Sequence, residues 1–191
     1  MIKRSLIVAS LLVAGTNALA FDSNKLYLGV GTSNGSGTYT AEGVRTVTAD
    51  YDSSSIPIKI GYIFRNDDRI EISYESMEHN YNNGGGTNTI SGWNIDWDLV
   101  FSNYKLGGII APYMTIGFGS YKVEDFTDTE ELNGYAMNYG IGGLYKLNQH
   151  IEFEVSYRGK IIKWEDIEFT NSTVTSDSTG TAIYLGINYK F

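Results

Sequence analysis

The sequence predicts an all-β fold: an eight-stranded antiparallel up-and-down transmembrane β-barrel preceded by a cleavable signal peptide. Three observations carry this. Beyond residue 20, apolar and polar residues alternate with period two in eight separate segments, the signature of strands with one apolar face. The connections between those segments take turns, long and then short. The apolar faces are too bulky and too aromatic to fit inside so narrow a barrel.

The chain opens with Met1-Ile2-Lys3-Arg4, a short basic stretch. An uncharged apolar run from Ser5 to Gly15 follows, then the small-x-small sequence Ala18-Leu19-Ala20. This is the order of a secretory signal. Residues 1–20 are therefore expected to be a signal peptide for export through the Sec pathway, and residues 21–191 a single barrel domain starting at Phe21. A permanent helical anchor needs about 20 apolar residues, and the run is shorter. Loss of Lys3 and Arg4 deepens the net charge from −8 to −10. So acidic a chain does not suit nucleic acid, which is bound through clustered Lys and Arg. With no Cys, neither disulfides nor thiolate zinc sites contribute.

In chain order, the first strand sets Leu26, Leu28 and Val30 against Tyr27, Gly29 and Gly31. The second sets Ile56, Ile58, Ile60, Tyr62 and Phe64 against Pro57, Lys59 and Gly61. Ile70, Ile72 and Tyr74 oppose Arg69, Glu71, Ser73 and Glu75 in the third. The fourth opposes Trp93, Ile95, Trp97, Leu99 and Phe101 to Asn94, Asp96 and Asp98. Met114, Ile116 and Phe118 alternate with Tyr113, Thr115, Gly117 and Gly119, and Pro112 falls at the start of that strand, where a missing N–H does least harm. Tyr135, Met137, Tyr139, Ile141 and Tyr145 alternate with Ala136, Asn138, Gly140 and Gly142. Ile151, Phe153, Val155 and Tyr157 alternate with Glu152, Glu154, Ser156 and Arg158. The last strand sets Ile183, Leu185, Ile187, Tyr189 and Phe191 against Ala182, Tyr184, Gly186, Asn188 and Lys190.

Three connections are short (Arg65 to Asp68, Ser102 to Gly107, Lys146 to Gln149). Four are long and rich in Ser, Thr, Asn and Gly: Ser33 to Ser54, Glu78 to Ile90, Ser120 to Asn133 and Ile161 to Gly180. Their strict alternation puts every long loop at one end of the barrel, as in outer-membrane barrels. A soluble barrel would turn the apolar faces inward, but eight strands leave little interior, and these faces carry two Trp and many Tyr, Phe, Ile and Leu. They are expected to face lipid. Aromatics also gather at both strand ends, with Tyr62, Phe64, Phe101, Tyr145, Tyr189 and Phe191 at the turn end and Trp93, Phe118, Tyr135 and Tyr157 at the other. Two such girdles match the two interfaces of a bilayer.

The inward face then holds ten charges: Lys59, Arg69, Glu71, Glu75, Asp96, Asp98, Glu152, Glu154, Arg158 and Lys190. Buried charges persist when paired, so a plug of salt bridges is expected. Folding the first short turn about its centre puts Lys59 opposite Glu75, and the last hairpin puts Lys190 near Glu152 or Glu154. Among the loops, Ser120 to Asn133 holds Glu124, Asp125, Asp128, Glu130 and Glu131. The last long loop holds Glu165, Asp166 and Glu168 near Trp164, Ile167 and Phe169. These oxygens are read as a solvated acidic rim, without the spacing of an EF-hand. Asn82 to Asn88 is a flexible Gly-rich tip with no following helix or Lys to bind phosphate.

The pieces Gly61-Tyr62-x-Phe64, Arg69-x-Glu71-x-Ser73-Tyr74, Pro112-Tyr113 with Gly117-x-Gly119, and Glu152-x-Glu154-x-Ser156-Tyr157-Arg158 follow one another in this order. Together with the C-terminus they resemble the small outer-membrane β-barrels of the OmpA-transmembrane-domain and OmpX-like type, over Phe21 to Phe191. The end, Ile183-x-Leu185-x-Ile187-x-Tyr189-x-Phe191, is similar to the β-signal read by the barrel-assembly machinery. The resemblance implies the bacterial outer membrane, with lipid and lipopolysaccharide as surroundings. It implies no cofactor, and a structural or surface-interaction role in which the long loops meet an extracellular ligand. The alternative it offers is a narrow porin-like or OmpW-like channel for small solutes or hydrophobic molecules. Barrel deacylases use Ser and His near the outer rim. Here His150 opens a strand at the wrong end, and His79 lies in Glu78-His79-Asn80-Tyr81, without their His-x-Ser pattern. Catalysis and transition-metal binding are not expected.

Overall fold

The computed structural model describes residues 25–191, except 65, 83–85, 105, 108, 128–129 and 170–171. The side chains of 124–127, 130–131, 169 and 172 are likewise outside the description. Ten strands are defined: β1 (Leu26–Glu42), β2 (Thr46–Ser55), β3 (Ile58–Ile63), β4 (Arg69–Tyr81), β5 (Thr87–Val100), β6 (Ile110–Thr127), β7 (Glu130–Lys146), β8 (Ile151–Trp164), β9 (Ile167–Phe169) and β10 (Ser172–Lys190). All pairings are antiparallel, and β1 closes the sheet on β10.

Ten strands make an eight-stranded barrel. β2 and β3 share both neighbours, β1 and β4, and the register runs on without a shift from Ser33↔Ser55 to Val30↔Ile58. Pro57 interrupts the ladder because it has no N–H to donate, while its carbonyl still accepts from Gly31 N at 3.1 Å. β9 is a three-residue strand on the outer end of β10, Ser172↔Phe169 to Val174↔Ile167. The barrel strands are therefore β1, β2/β3, β4, β5, β6, β7, β8 and β10, and the first two run up and down like the rest.

The alternation sorts as the sequence predicts. On β4, Arg69, Glu71, Ser73 and Glu75 are buried while Ile70 and Tyr74 are exposed. On β5, Asn94, Asp96 and Asp98 are buried while Trp93 is 60% exposed and Trp97 51%. An apolar belt thus faces outward around the whole barrel, far beyond what a soluble monomer tolerates. The stretches Trp93–Phe101 and Ile183–Phe191 match the roughly 9–11 residues with which a tilted strand crosses a bilayer. Rings cluster at both edges of the belt: Tyr62–Phe64, Tyr145–Phe153 and Tyr189–Phe191 at the turn end, and Tyr74–Trp93 at the other.

The long connections differ from the expectation. Ser33 to Ser54 is mostly strand: β1 pairs with β2 up to Glu42↔Thr46 and with β10 up to Glu42↔Thr175, so only residues 43–45 turn. The other three long connections are likewise largely taken up by β4, β5, β6, β7, β8 and β10. β1 continues twelve residues past Val30, its last lipid-facing apolar residue, or about 40 Å of strand. Outside the bilayer the outward face meets water, so the ladder runs on through Thr32, Asn34, Ser36, Thr38 and Thr40 with no apolar side to reveal it. On the short side, the β5–β6 connection is longer than expected, spanning residues 101–109 and carrying a Leu106↔Ile110 bridge.

The narrow lumen is fitted by rings lying over glycines. Tyr27 covers Gly61, where a Cβ would stand 2.3 Å from the ring, and Tyr113 covers Gly142 at 2.5 Å. Any larger residue at either position would push a buried Tyr out of place.

Candidate functional site

The lumen is layered from the turn end upward. At the bottom, Val100, Ala111 and Leu144 form an apolar cap with Tyr113. Next, Arg69 grips Glu152 with both guanidinium nitrogens (2.6 and 3.1 Å) while Lys190 Nζ donates to the same carboxylate at 2.7 Å. Arg69 and Glu152 are 1% and 0% exposed. Above this, Lys59 Nζ lies between Glu71 (2.8 Å) and Glu154 (2.5 Å). Glu154 also accepts from Arg158 at 2.7 Å and Tyr113 at 2.6 Å, and Tyr27 donates to Glu71. In the third layer Glu75 accepts from Lys160 and Tyr121, with Ser55 and Asn94 at 3.3 Å.

Of the ten predicted lumen charges, the structure thus links seven in two layers: Lys59, Arg69, Glu71, Glu152, Glu154, Arg158 and Lys190. The Lys59–Glu75 pairing is corrected. Lys59 stands across from Ser73, not Glu75, so Glu75 lies two residues too high and meets Lys160 instead. Asp96 accepts from Asn138 at 3.1 Å. Asp98, cross-strand from Arg69, is buried with Oδ1 unpartnered. Lys160 was missed, although it continues the Glu152, Glu154, Ser156, Arg158 parity. Adding it leaves six acids facing five bases.

The upper lumen was also missed. Met77, Ile90, Tyr121, Val123, Leu132, Ala136, Ile162 and Trp164 form a buried apolar cluster at inward positions above the charge layers. Trp164, expected in a loop, points inward and donates Nε1–H to Ser178 Oγ at 2.9 Å. Glu165 and Asp166 remain exposed. The side chains of Glu124, Asp125, Glu130 and Glu131, and the whole of Asp128, the Gly84–Gly85 tip and residues 1–20, lie outside the description. Ile183, Leu185, Ile187, Tyr189 and Phe191 all face outward on the closing strand, and Phe191 N donates to Leu26 O at 3.1 Å.

His79 is buried. It stacks on Tyr51, centroids 3.9 Å apart, above the lipid-facing belt. Burial pulls the imidazole down from 6.5 to about 4 and pushes the Tyr51 hydroxyl up to about 12, so both are neutral at pH 7. The unfolded chain takes up a proton at His79 below about pH 6.5, and the folded barrel resists until about pH 4. Stability is therefore complete above pH 6.5 and falls as pH drops through that window, by about 3 kcal/mol. His79→Phe is expected to flatten this part of the urea-unfolding pH profile between pH 7 and 4. Equal losses in wild type and variant would contradict it. At the other end, His150 Nδ1 lies 3.0 Å from Lys190 O and the ring stacks on Tyr189.

A closed antiparallel barrel with a lipid-facing belt, two aromatic girdles and a polar lumen defines an integral outer-membrane β-barrel. The chain belongs to the outer membrane protein beta-barrel domain family, whose model matches residues 6–191. No curated protein sequence matches it. Among solved structures it is similar to Neisserial surface protein A, at 10% identity and a TM-score of 0.56 over 87% of this chain and 97% of that one. It is also similar to the outer membrane protein OprG from Pseudomonas aeruginosa, at 11% identity and a TM-score of 0.52 over 87% and 95%. At such identities the likeness is one of fold, and it fits a bacterial outer-membrane location.

Proposed function

We propose that the protein is a non-catalytic surface barrel, closed to solutes, whose strand extensions present an interaction surface outside the cell. One observation carries this reading: three charge layers cross the lumen while the β-walls continue far above the lipid belt. The wall is built for display, with hydroxyl and carboxamide groups outward and a narrow 43–45 turn at its tip. The ion pairs that Arg69, Lys59, Arg158 and Lys190 make across the lower two layers favour a plug over a channel.

The same proposal covers biogenesis and surroundings. Residues 1–20 act as a Sec signal removed before Phe21. Ile183, Leu185, Ile187, Tyr189 and Phe191 are the signal read by the assembly machinery, and lipopolysaccharide surrounds the outer girdle. One cellular experiment tests the set, using a chain with an epitope inserted at Gly43. The outer-membrane form is expected to begin at Phe21 and to be labelled by antibody on intact cells, and deletion of Phe191 is expected to lower the inserted amount. An intact Met1 terminus, labelling only after lysis, or full insertion without Phe191 would each overturn the corresponding part.

A further inference from the structure

The charge layers do not fill the lumen to its top. Above Glu75 and Lys160 two cavities are stacked along the barrel axis. The lower, of about 80 Å³, is a polar chamber. Its wall carries the hydroxyl residues Ser33, Ser53, Ser73 and Thr115 and the carboxamides Asn94 and Asn138. The upper, of about 280 Å³, is walled by Tyr39, Val47, Ile90, Leu132 and Trp164, and every barrel strand contributes to it. Successive inward positions connect the two: Tyr51 and Ala49, His79 and Tyr81, Ile162 and Trp164 line chamber and mouth in turn. Met77 stands at the junction, lining the chamber while packing in the cluster of Ile90 and Trp164. Its unbranched side chain adapts easily to an occupant.

Each half points to a different part of one ligand. Hydroxyls and carboxamides both donate and accept, so the chamber suits a polar occupant that does the same. The mouth is apolar and close to the lower bound of roughly 300–1,000 Å³ for small-molecule pockets. Charge decides the head group. Lys160 is engaged by Glu75 and Arg158 by Glu154, and in the chamber wall Glu75 and Asp96 balance Lys160 and Arg158. An ionised head of either sign would enter without a counter-charge, at a high desolvation cost. The mouth opens above the lipid belt, where Val47 is 59% exposed, so the ligand comes from the aqueous phase outside.

We propose that this stacked pair binds a small single-chain amphiphile with a neutral hydrogen-bonding head, the head seated in the chamber and the chain in the apolar mouth. The site lies above the two lower charge layers, so its occupancy is read independently of whether the barrel conducts.

The test uses Trp164 as reporter. The protein has three Trp, and Trp93→Phe with Trp97→Phe leaves Trp164 alone. Reconstituted in phosphatidylcholine vesicles, this barrel is titrated with 10-bromodecan-1-ol, whose bromine quenches an adjacent indole. Saturable quenching is expected, weakened at least ten-fold by Val123→Phe and by Ala49→Phe, which fill the mouth from two strands. The alcohol is also expected to bind at least ten-fold more tightly than ionised 10-bromodecanoate or the bromodecyl-trimethylammonium ion. Absence of quenching, as with a chamber that holds water alone, would overturn the proposal. So would a linear, non-saturating response that neither filling variant changes. Equal binding of all three heads would overturn the neutral-head assignment.

Discussion

Lys59→Met is expected to destabilise the barrel by about 3–5 kcal/mol, the usual consequence of removing one partner from a buried ion pair. Lys59 is 2% exposed and holds two carboxylates, Glu71 and Glu154. Without it, both remain buried, and only Arg158, Tyr113, Tyr27 and Asn188 are left to compensate. Lys59→Met combined with Glu154→Gln should recover part of the loss, because one stranded charge disappears with its partner. The same cycle with Glu75→Gln should be additive within about 0.5 kcal/mol, since Glu75 belongs to Lys160. Urea unfolding from lipid vesicles measures the wild type and all five variants. Strong coupling of Lys59 to Glu75, with none to Glu154, would show that the layers are misassigned.

Leu99→Arg is expected to cost roughly 2–4 kcal/mol, the penalty for a charge on the lipid face near the bilayer midplane. Leu99 lies inside the outward belt, two positions from Trp97 and Phe101. Ser36→Arg is the matching control. It also faces outward, but on the part of β1 paired with Asp52 and Thr181, above the belt. There the new side chain meets water, and the change should stay within about 0.5 kcal/mol. The contrast locates the edge of the bilayer on the barrel. Equal cost at both positions would mean that the extension is not outside the membrane, and no cost at Leu99 would mean that the belt does not face lipid.

Parity made most of this barrel legible. A side-chain period of two, read from Ile70 to Glu75 or from Ile183 to Phe191, assigns each residue to lipid or lumen, because inside the bilayer only one face is apolar. Where the bilayer ends, that contrast ends too. Thr38-Tyr39-Thr40 or Thr46-Val47-Thr48 reads as loop by polarity, although Thr, Tyr and Val are good strand formers. The continuing ladder is thus hidden by composition alone. The same cut hid Ile162 and Trp164, which continue the alternation of Arg158 and Lys160 and line the chamber and the apolar mouth. The Lys59–Glu75 expectation failed for a different reason. The expected partner lies two residues beyond the one observed, Ser73, because the turn closes with Phe64 bonded to Asp68 and Asp67 at positive φ, a turn geometry that polarity alone does not reveal. Which neighbour across the lumen meets a charge, as Lys59 meets Glu154 ninety-five residues away, depends on closure of the whole barrel.

Closure of the lumen is tested most directly by single-channel recording in planar bilayers. The wild-type protein, refolded and inserted at neutral pH, is expected to give no conductance steps above baseline. On the proposed closed lumen, the apolar cap at Val100, Ala111 and Leu144 and the layers on Glu152, Glu154 and Glu75 block the path. Stable, stepwise, voltage-independent conductance from the wild-type barrel would contradict the closed lumen.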